Sequence, residues 1–291
     1  MELVQVRRSQ GRIIFDRFMR NYIAVGGAVF LIALVLYCFI GPFFWHLDPN
    51  LTHVTSVSDT LASPSLAHPF GTDDVGRDQF ARAMIGGQVS LTVGMLSMLL
   101  GICLGMLVGA LAGYYGGWID NVLMRFTDVA LSVPFYLLLF VLSVAFSDGS
   151  TRTVVLIIAA FSWLLAARLV RSEFLTLKER EFVMAARTIG AKDFRLMFRH
   201  ILPNAAGPII VNATLLIGAN IIAESILSFF GFGIQPPNAS WGTMIATGTD
   251  FIDADPWLVF IPGLLIFATV LSFNLVGDGL RDALDPYMTQ R

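Results

Sequence analysis

This chain is short of charge, lysine, cysteine and histidine, and each shortage closes off a class of function. Charged residues make up 14% of its 291 positions and hydrophobic residues 56%, against roughly 45–50% apolar residues in soluble domains. Only two lysines occur, Lys178 after Leu177 and Lys192 after Ala191. A phosphate-binding loop of the Gly-Lys-Ser/Thr type needs a lysine that follows glycine and reaches the terminal phosphates, so the chain holds no loop of that type. The two cysteines, Cys38 and Cys103, both sit inside apolar runs and read as small buried hydrophobes, with no disulfide framework or metal spacing. Of the four histidines, His46, His53 and His68 are irregularly spaced in one loop and His200 stands far from them, which is no zinc site. There is no HExxH, no GxSxG and no pair of aspartates in facing spans, so an intramembrane hydrolase is excluded. The net charge of −2 gives no reason to expect nucleic acid.

What the chain does have is apolar length. Charge is missing over Tyr22 to Phe44, Ala83 to Ile119, Val129 to Ser147 and Pro256 to Gly277, and a membrane span needs about 20 such residues. The expected architecture is all-α and integral to a membrane, with six transmembrane helices near 22–44, 88–113, 123–146, 151–170, 206–230 and 256–277. The Ala83–Ile119 run is too short for two spans and a turn, so it reads as one long tilted helix. The fourth span is the weakest, and Arg152 and Arg168 at its ends can snorkel outward to lengthen it. The first run follows a basic stretch but is too long for a signal-peptide core and lacks a small-residue cleavage site, so it reads as an uncleaved anchor. Arginine and lysine set the orientation: with the N-terminus inside, 16 of the 19 fall on cytoplasmic segments, and both termini are cytoplasmic.

These spans divide the chain into a basic cytoplasmic segment (1–21), a first helix with a long outside loop (22–87), a core (88–277) carrying a cytoplasmic loop at about 171–205, and a cytoplasmic tail (278–291). Residues 1–21 interleave Ile13, Ile14, Phe15 and Phe18 with basic residues, which suits either a helix lying on the inner membrane surface or a plain topological anchor. In the outside loop, Asp73, Asp74 and Asp78 fail the EF-hand spacing, and a structural loop or short helix over the outside mouth is expected. Pro236–Pro237 stops any helix, and Asn238-Ala239-Ser240 matches a glycosylation acceptor only by a weak three-residue pattern. Gly101, Gly105, Gly109 and Gly113 step by four along one helix and make a flat ridge, an internal packing seam or, if it slides, a moving one. Asp128 stands three residues from Arg125, close enough to pair on one face. Glu224 has no basic neighbour in sequence and needs a wet cavity, an outside interface or a donor on another helix. Lining a gate or path and hydrogen-bonded packing are its two readings; Asn212, Asn220 and Asn274 read as helix-to-helix contacts.

The densest signal is Glu181 to Pro203, EFVMAARTIGAKDFRLMFRHILP, on the cytoplasmic side. Phe182, Ala185, Ala186 and Ile189 repeat at helical spacing and form one expected apolar face; Phe194, Met197, Phe198 and Ile201 form another. Gly190 between them stands where a helix ends on a left-handed residue. This stretch resembles the cytoplasmic loop of membrane subunits of bacterial ABC importers, which reads EAA, three residues, G and a later LP; Ala185, Ala186, Gly190 and Leu202–Pro203 match, and Met184 replaces the glutamate. HPFGTDDVGRD (68–78), LSFFGFGIQPPNASWG (227–242) and GDGLRDALDP (277–286) are similar to the dipeptide/oligopeptide/nickel branch, in particular to its C-type peptide permease subunits.

The resemblance implies a type I importer fold in a bacterial inner membrane. It implies four kinds of partner: a second homologous permease subunit, two ATPase subunits, an extracytoplasmic peptide-binding protein and the lipid bilayer. ATP and Mg would be bound by the ATPases, with no cofactor in this chain. It places coupling to the ATPases on Glu181, Phe182, Ala185, Ala186, Ile189, Gly190, Ala191 and Pro203. Peptide cargo is expected, with nickel chelates, glutathione and glycosides as alternatives. A self-sufficient secondary transporter or channel is the rival class, although neither matched halves nor a chain of intramembrane carboxylates is visible.

Overall fold

The computed structural model describes residues 10–45, 60–146, 148–235 and 238–284. His46, His53, the Pro236–Pro237 helix stop, the first nine residues and the last seven lie outside them. Among the described residues ten helical elements follow one another: α1 (Gln10–Phe18), α2 (Tyr22–Phe44), α3 (Gln79–Tyr115), α4 (Gly117–Ser132), α5 (Phe135–Phe146), α6 (Thr151–Leu177), α7 (Glu181–Thr188), α8 (Asp193–Phe229), α9 (Trp241–Thr249) and α10 (Trp257–Leu284). No strand is present among the described residues. Five of these helices, α2, α3, α6, α8 and α10, are long and apolar enough to cross a membrane alone.

The third expected span, 123–146, is not one helix. It breaks between α4 and α5, whose axes differ by 85°. Pro134 is the cause: it has no N–H to donate and pushes the preceding residue out of the helical region. Val133 is accordingly extended, at φ −90° and ψ 134°. The weak fourth span is longer than expected: α6 runs 27 residues and is the most enclosed of the long helices. Arg152 at its start is exposed, as expected, while the arginines at its other end find partners. Arg168 meets Asp128 of α4, and Arg171 makes a two-pronged pair with Asp120. Asp128 thus pairs across helices rather than with Arg125 on its own helix.

The long run after Ala83 lies in one unbroken helix, α3. At 37 residues it is roughly 55 Å long, so it tilts or extends beyond the roughly 30 Å hydrocarbon layer. It is capped by Asp78, whose carboxylate accepts from the Phe80 N–H at 2.9 Å and the Trp45 indole at 2.8 Å. Ahead of the cap, Asp73 accepts from the Val75 and Arg77 backbone N–H groups and from the Arg77 side chain at 2.7 Å. This part of the outside loop is a structural fold held by its own carboxylates.

The glycine ridge is where α3 meets α6. A methyl on Gly101 would sit 2.9 Å from Ser162 Cβ, on Gly105 2.6 Å from Ala166 Cβ, and on Gly113 2.6 Å from Phe174 Cβ; on Gly109 it would run into the Ala167 carbonyl. The four glycines therefore let two backbones touch along four turns, where packing rather than water drives helices together. Further out, Gly94 turns to α8, where an added methyl would lie 2.6 Å from Ile221. α10 closes the bundle against α8 and α2, with Gly218 beside Val270 and Gly27 beside Ser272.

Candidate functional site: the inner-face loop and the polar knot above it

The cytoplasmic loop is two helices and a turn, as its sequence suggests. α7 ends in a pair of bonds that only a left-handed residue allows: the Gly190 N–H donates to the Arg187 carbonyl (3.0 Å) and the Ala191 N–H to the Ala186 carbonyl (3.1 Å). Gly190 has φ +87°, a conformation in which a Cβ is strained. Among the described residues no atom beyond its chain neighbours lies within 4 Å of where that Cβ would stand, so backbone strain rather than crowding selects glycine.

The two expected apolar faces each divide in the structure. From α7, Val183 and Ala186 are buried; from the start of α8, Leu196, Met197 and Ile201 are buried, all in one cluster with Tyr114, Val170 and Phe174. Phe182, Ala185 and Ile189 point away from that core, and Ile189 is 87% exposed. Phe194, 73% exposed, packs against Phe198 with ring centroids 4.5 Å apart and planes tilted by 38°. The helical period was right, but eight residues of amphipathic helix present only a narrow inner stripe, and Val183 with Ala186 fills it. Glu181 and Pro203 are exposed, and Ala191 packs on the rim of the buried cluster.

Polar bonds tie this loop to the core. The Tyr114 hydroxyl, at the inner end of α3, donates to Asp193 at 2.7 Å. The Lys178 ammonium donates to the Gly113 carbonyl at 3.0 Å. The loop is thereby fixed to the inner end of the glycine seam. Neither partner stands out in sequence, because each bond joins residues more than sixty positions apart.

Glu224 lies near the outer end of α8 and is completely buried. Each of its oxygens accepts a hydroxyl: Ser90 of α3 donates at 2.7 Å and Ser228, one turn on, donates at 2.7 Å. The same serines accept backbone N–H groups, Ser90 from Trp241 at 3.3 Å and Ser228 from Ile234 at 3.1 Å. The donor on another helix, one of three environments expected for this carboxylate, is Ser90. The knot joins α3, α8, the connecting segment and the start of α9. It also accounts for two glycines of the 227–242 stretch, because a methyl on Gly233 would strike Ser228 and one on Gly242 would lie 2.6 Å from the Ser225 carbonyl. Glu224 could be singled out from sequence; its partners could not, since serine in an apolar run carries no address.

Comparison with known proteins places this arrangement. A family described as the binding-protein-dependent transport system inner membrane component matches residues 101–290, and the N-terminal TM domain of oligopeptide transport permease C matches residues 9–65. The chain is 38% identical over 270 residues to the oligopeptide transport system permease protein OppC of Bacillus subtilis, covering 93% of this chain and 87% of that one. It is 40% identical to the dipeptide transport system permease protein DppC of Alkalihalophilus pseudofirmus, covering 96% and 91%. It is 41% identical to the glutathione transport system permease protein GsiD of Escherichia coli O157:H7, covering 93% and 88%. Among solved structures, the inward-facing MetNI methionine ABC transporter aligns with a TM-score of 0.56 at 18% identity, over 69% of this chain and 95% of that chain. An amino acid ABC transporter aligns at 0.51 and 16% identity, over 66% and 89%. Those two share the fold, that of a type I ABC importer permease. Matched along nearly its whole length, this chain belongs to the family of inner-membrane components of binding-protein-dependent transport systems and is a multi-pass permease subunit.

Proposed function

We propose that this subunit forms half of a translocation path for di- or oligopeptides and is driven through its inner-face loop by separate ATPase subunits. The observation that carries the reading is the division of that loop. Val183, Ala186, Leu196 and Met197 root it in the core while Phe182, Ile189 and Phe194 stay exposed on the cytoplasmic side. A helix pair fastened on one side and apolar on the other is suited to receive a partner's surface and pass its displacement to α6 and α8. Ala185 lets that partner approach closely, and Gly190 holds the turn.

ATP and Mg belong in this reading to two ATPase subunits, since the chain's two lysines cannot complete a phosphate-binding loop. A second homologous permease encloses the other half of the path, and an extracytoplasmic binding protein delivers cargo. Peptide cargo follows from the relatives, named for oligopeptide, dipeptide and glutathione transport; glutathione is itself a tripeptide, so all three name one chemical class. Reconstitution tests the reading. The purified chain alone should neither hydrolyse ATP nor take up peptide into vesicles, and the chain with its partner permease, ATPases and binding protein should do both. Uptake by the lone chain would mean a secondary carrier instead.

A further inference from the structure

The break between α4 and α5 opens a cavity of about 310 Å³, walled by Val133, Tyr136, Phe161 and Leu165 and reaching Ser162 and Asn220. Among its described lining residues none is charged. Asn220, one turn before Glu224 on α8, is 1% exposed, yet its amide nitrogen has no hydrogen-bond partner among the described residues. Its amide oxygen lies 2.9 Å from the Ser162 hydroxyl, which also lies 2.8 Å from the Ile158 carbonyl. One hydroxyl has one proton to give. If it goes to Asn220, the amide NH2 is left over; if it goes to Ile158, the amide turns its NH2 to Ser162 and its oxygen is left over. Either way one polar atom of a buried side chain is unfilled, at a cost that native structures rarely leave uncompensated. Irregular backbone such as Val133–Pro134 at membrane depth is tolerated only where protein covers it or it lines a wet cavity.

We infer that this cavity is a cargo subsite in which Asn220 hydrogen-bonds a main-chain amide of the peptide while its apolar walls receive the adjoining side chain. The inference rests on the peptide-cargo reading above. A peptide group offers one acceptor and one donor whatever its sequence, and an asparagine that turns over can meet either. An uncharged wall selects the neutral middle of a peptide rather than its ionised ends. Asn220, which reads from sequence as a helix-to-helix contact and makes one with Ser162, is on this account also a cargo-binding residue.

The test uses the whole transporter in proteoliposomes and the tripeptide alanyl-photoleucyl-alanine, whose diazirine marks what it touches. Uptake is measured first; absence of uptake by the unaltered complex defeats the cargo reading and this inference with it. Given uptake, illumination should place adducts on the lining residues Phe135, Tyr136 or Leu138, or on Leu216, Ala219 or Asn220. Asn220→Leu and Asn220→Ala should each lower that yield about three- to tenfold, as the loss of one hydrogen bond allows, and Asn220→Gln should restore part of it. Transport that continues with adducts only elsewhere, or with yields unchanged by both variants, overturns the subsite and leaves peptide transport standing. So does labelling of the same residues by a diazirine phosphatidylcholine that the peptide fails to displace, which makes the cavity a lipid site. A cross-link from these positions into the partner permease would show a filled subunit interface and likewise overturn it.

Discussion

The outer and inner ends of α8 are built on opposite principles. At the outer end, Glu224 is sealed from solvent and both of its oxygens are occupied, and its serines pass the bonding on to two backbone N–H groups. At the inner end, Leu196 and Met197 are buried while Phe194 and Phe198 lie outside, and Ile189 of the same loop is exposed. One end satisfies itself; the other leaves apolar surface for something else to cover. A subunit with its own fuel site would have no need for that asymmetry. A subunit moved by a partner needs a fixed end and a receptive one, and the glycine seam between α3 and α6 connects the two.

The comparison can be broken at each of its parts, and the seam should break it most. Gly109→Leu drives a side chain into the Ala167 carbonyl and Val170. Overpacking of this kind costs about 1–3 kcal/mol or more, and here backbone rather than a flexible side chain stands in the way. The variant should insert but fail to accumulate as an assembled complex, as size-exclusion profiles in detergent would reveal; a normal profile would mean that the seam tolerates separation. Next comes Glu224→Ala, which leaves Ser90 and Ser228 without their acceptor. Each orphaned group costs about 1–3 kcal/mol, so the melting temperature of the complex should fall measurably, and Glu224→Gln should recover part of the loss. If melting is unchanged but uptake is lost, Glu224 acts on the path rather than on packing.

At the inner end the expected effects are smaller in stability and larger in coupling. Gly190→Val forces a β-branched residue to φ +87°, which costs about 1–3 kcal/mol in a turn with open space around it. The subunit should remain inserted and assembled while ATP hydrolysis and peptide uptake come apart; normal cargo-stimulated hydrolysis together with normal uptake would refute this role. Tyr114→Phe removes a single bond to Asp193, worth about 1 kcal/mol. It should leave assembly intact and lower the number of peptides carried per ATP hydrolysed, a ratio that paired flux and phosphate assays measure.

Much of this was legible in sequence. The uncharged runs locate the long helices, the arginines orient them, and Gly190 announces its turn, because each is a local constraint on backbone or solvation. The glycine ridge was visible as a ridge, though nothing in it named α6 as the opposing surface. The bend in the 123–146 span does not follow from missing charge or from length; its one local mark is Pro134, inside the run from Val129 to Ser147. The Asp128–Arg168 pair, the serines around Glu224 and the Tyr114–Asp193 bond were out of reach for a different reason. Each depends on which helices become neighbours, and helical periodicity does not encode that. The divided faces of α7 and α8 show the same limit, since spacing marks apolar residues without saying which of them meet the core.

The central claim is that force enters through the exposed side of the inner-face loop. Ile189→Cys, in a chain with Cys38→Ser and Cys103→Ser, places one thiol on that side, and a benzophenone maleimide attached to it and illuminated in the transporting complex inserts into C–H bonds of whatever lies against it. The account predicts a cross-linked product of this subunit with an ATPase subunit, and loss of uptake once it forms. A complex that retains its ATPases and transports peptide, yet gives no such product from Ile189→Cys, would contradict it.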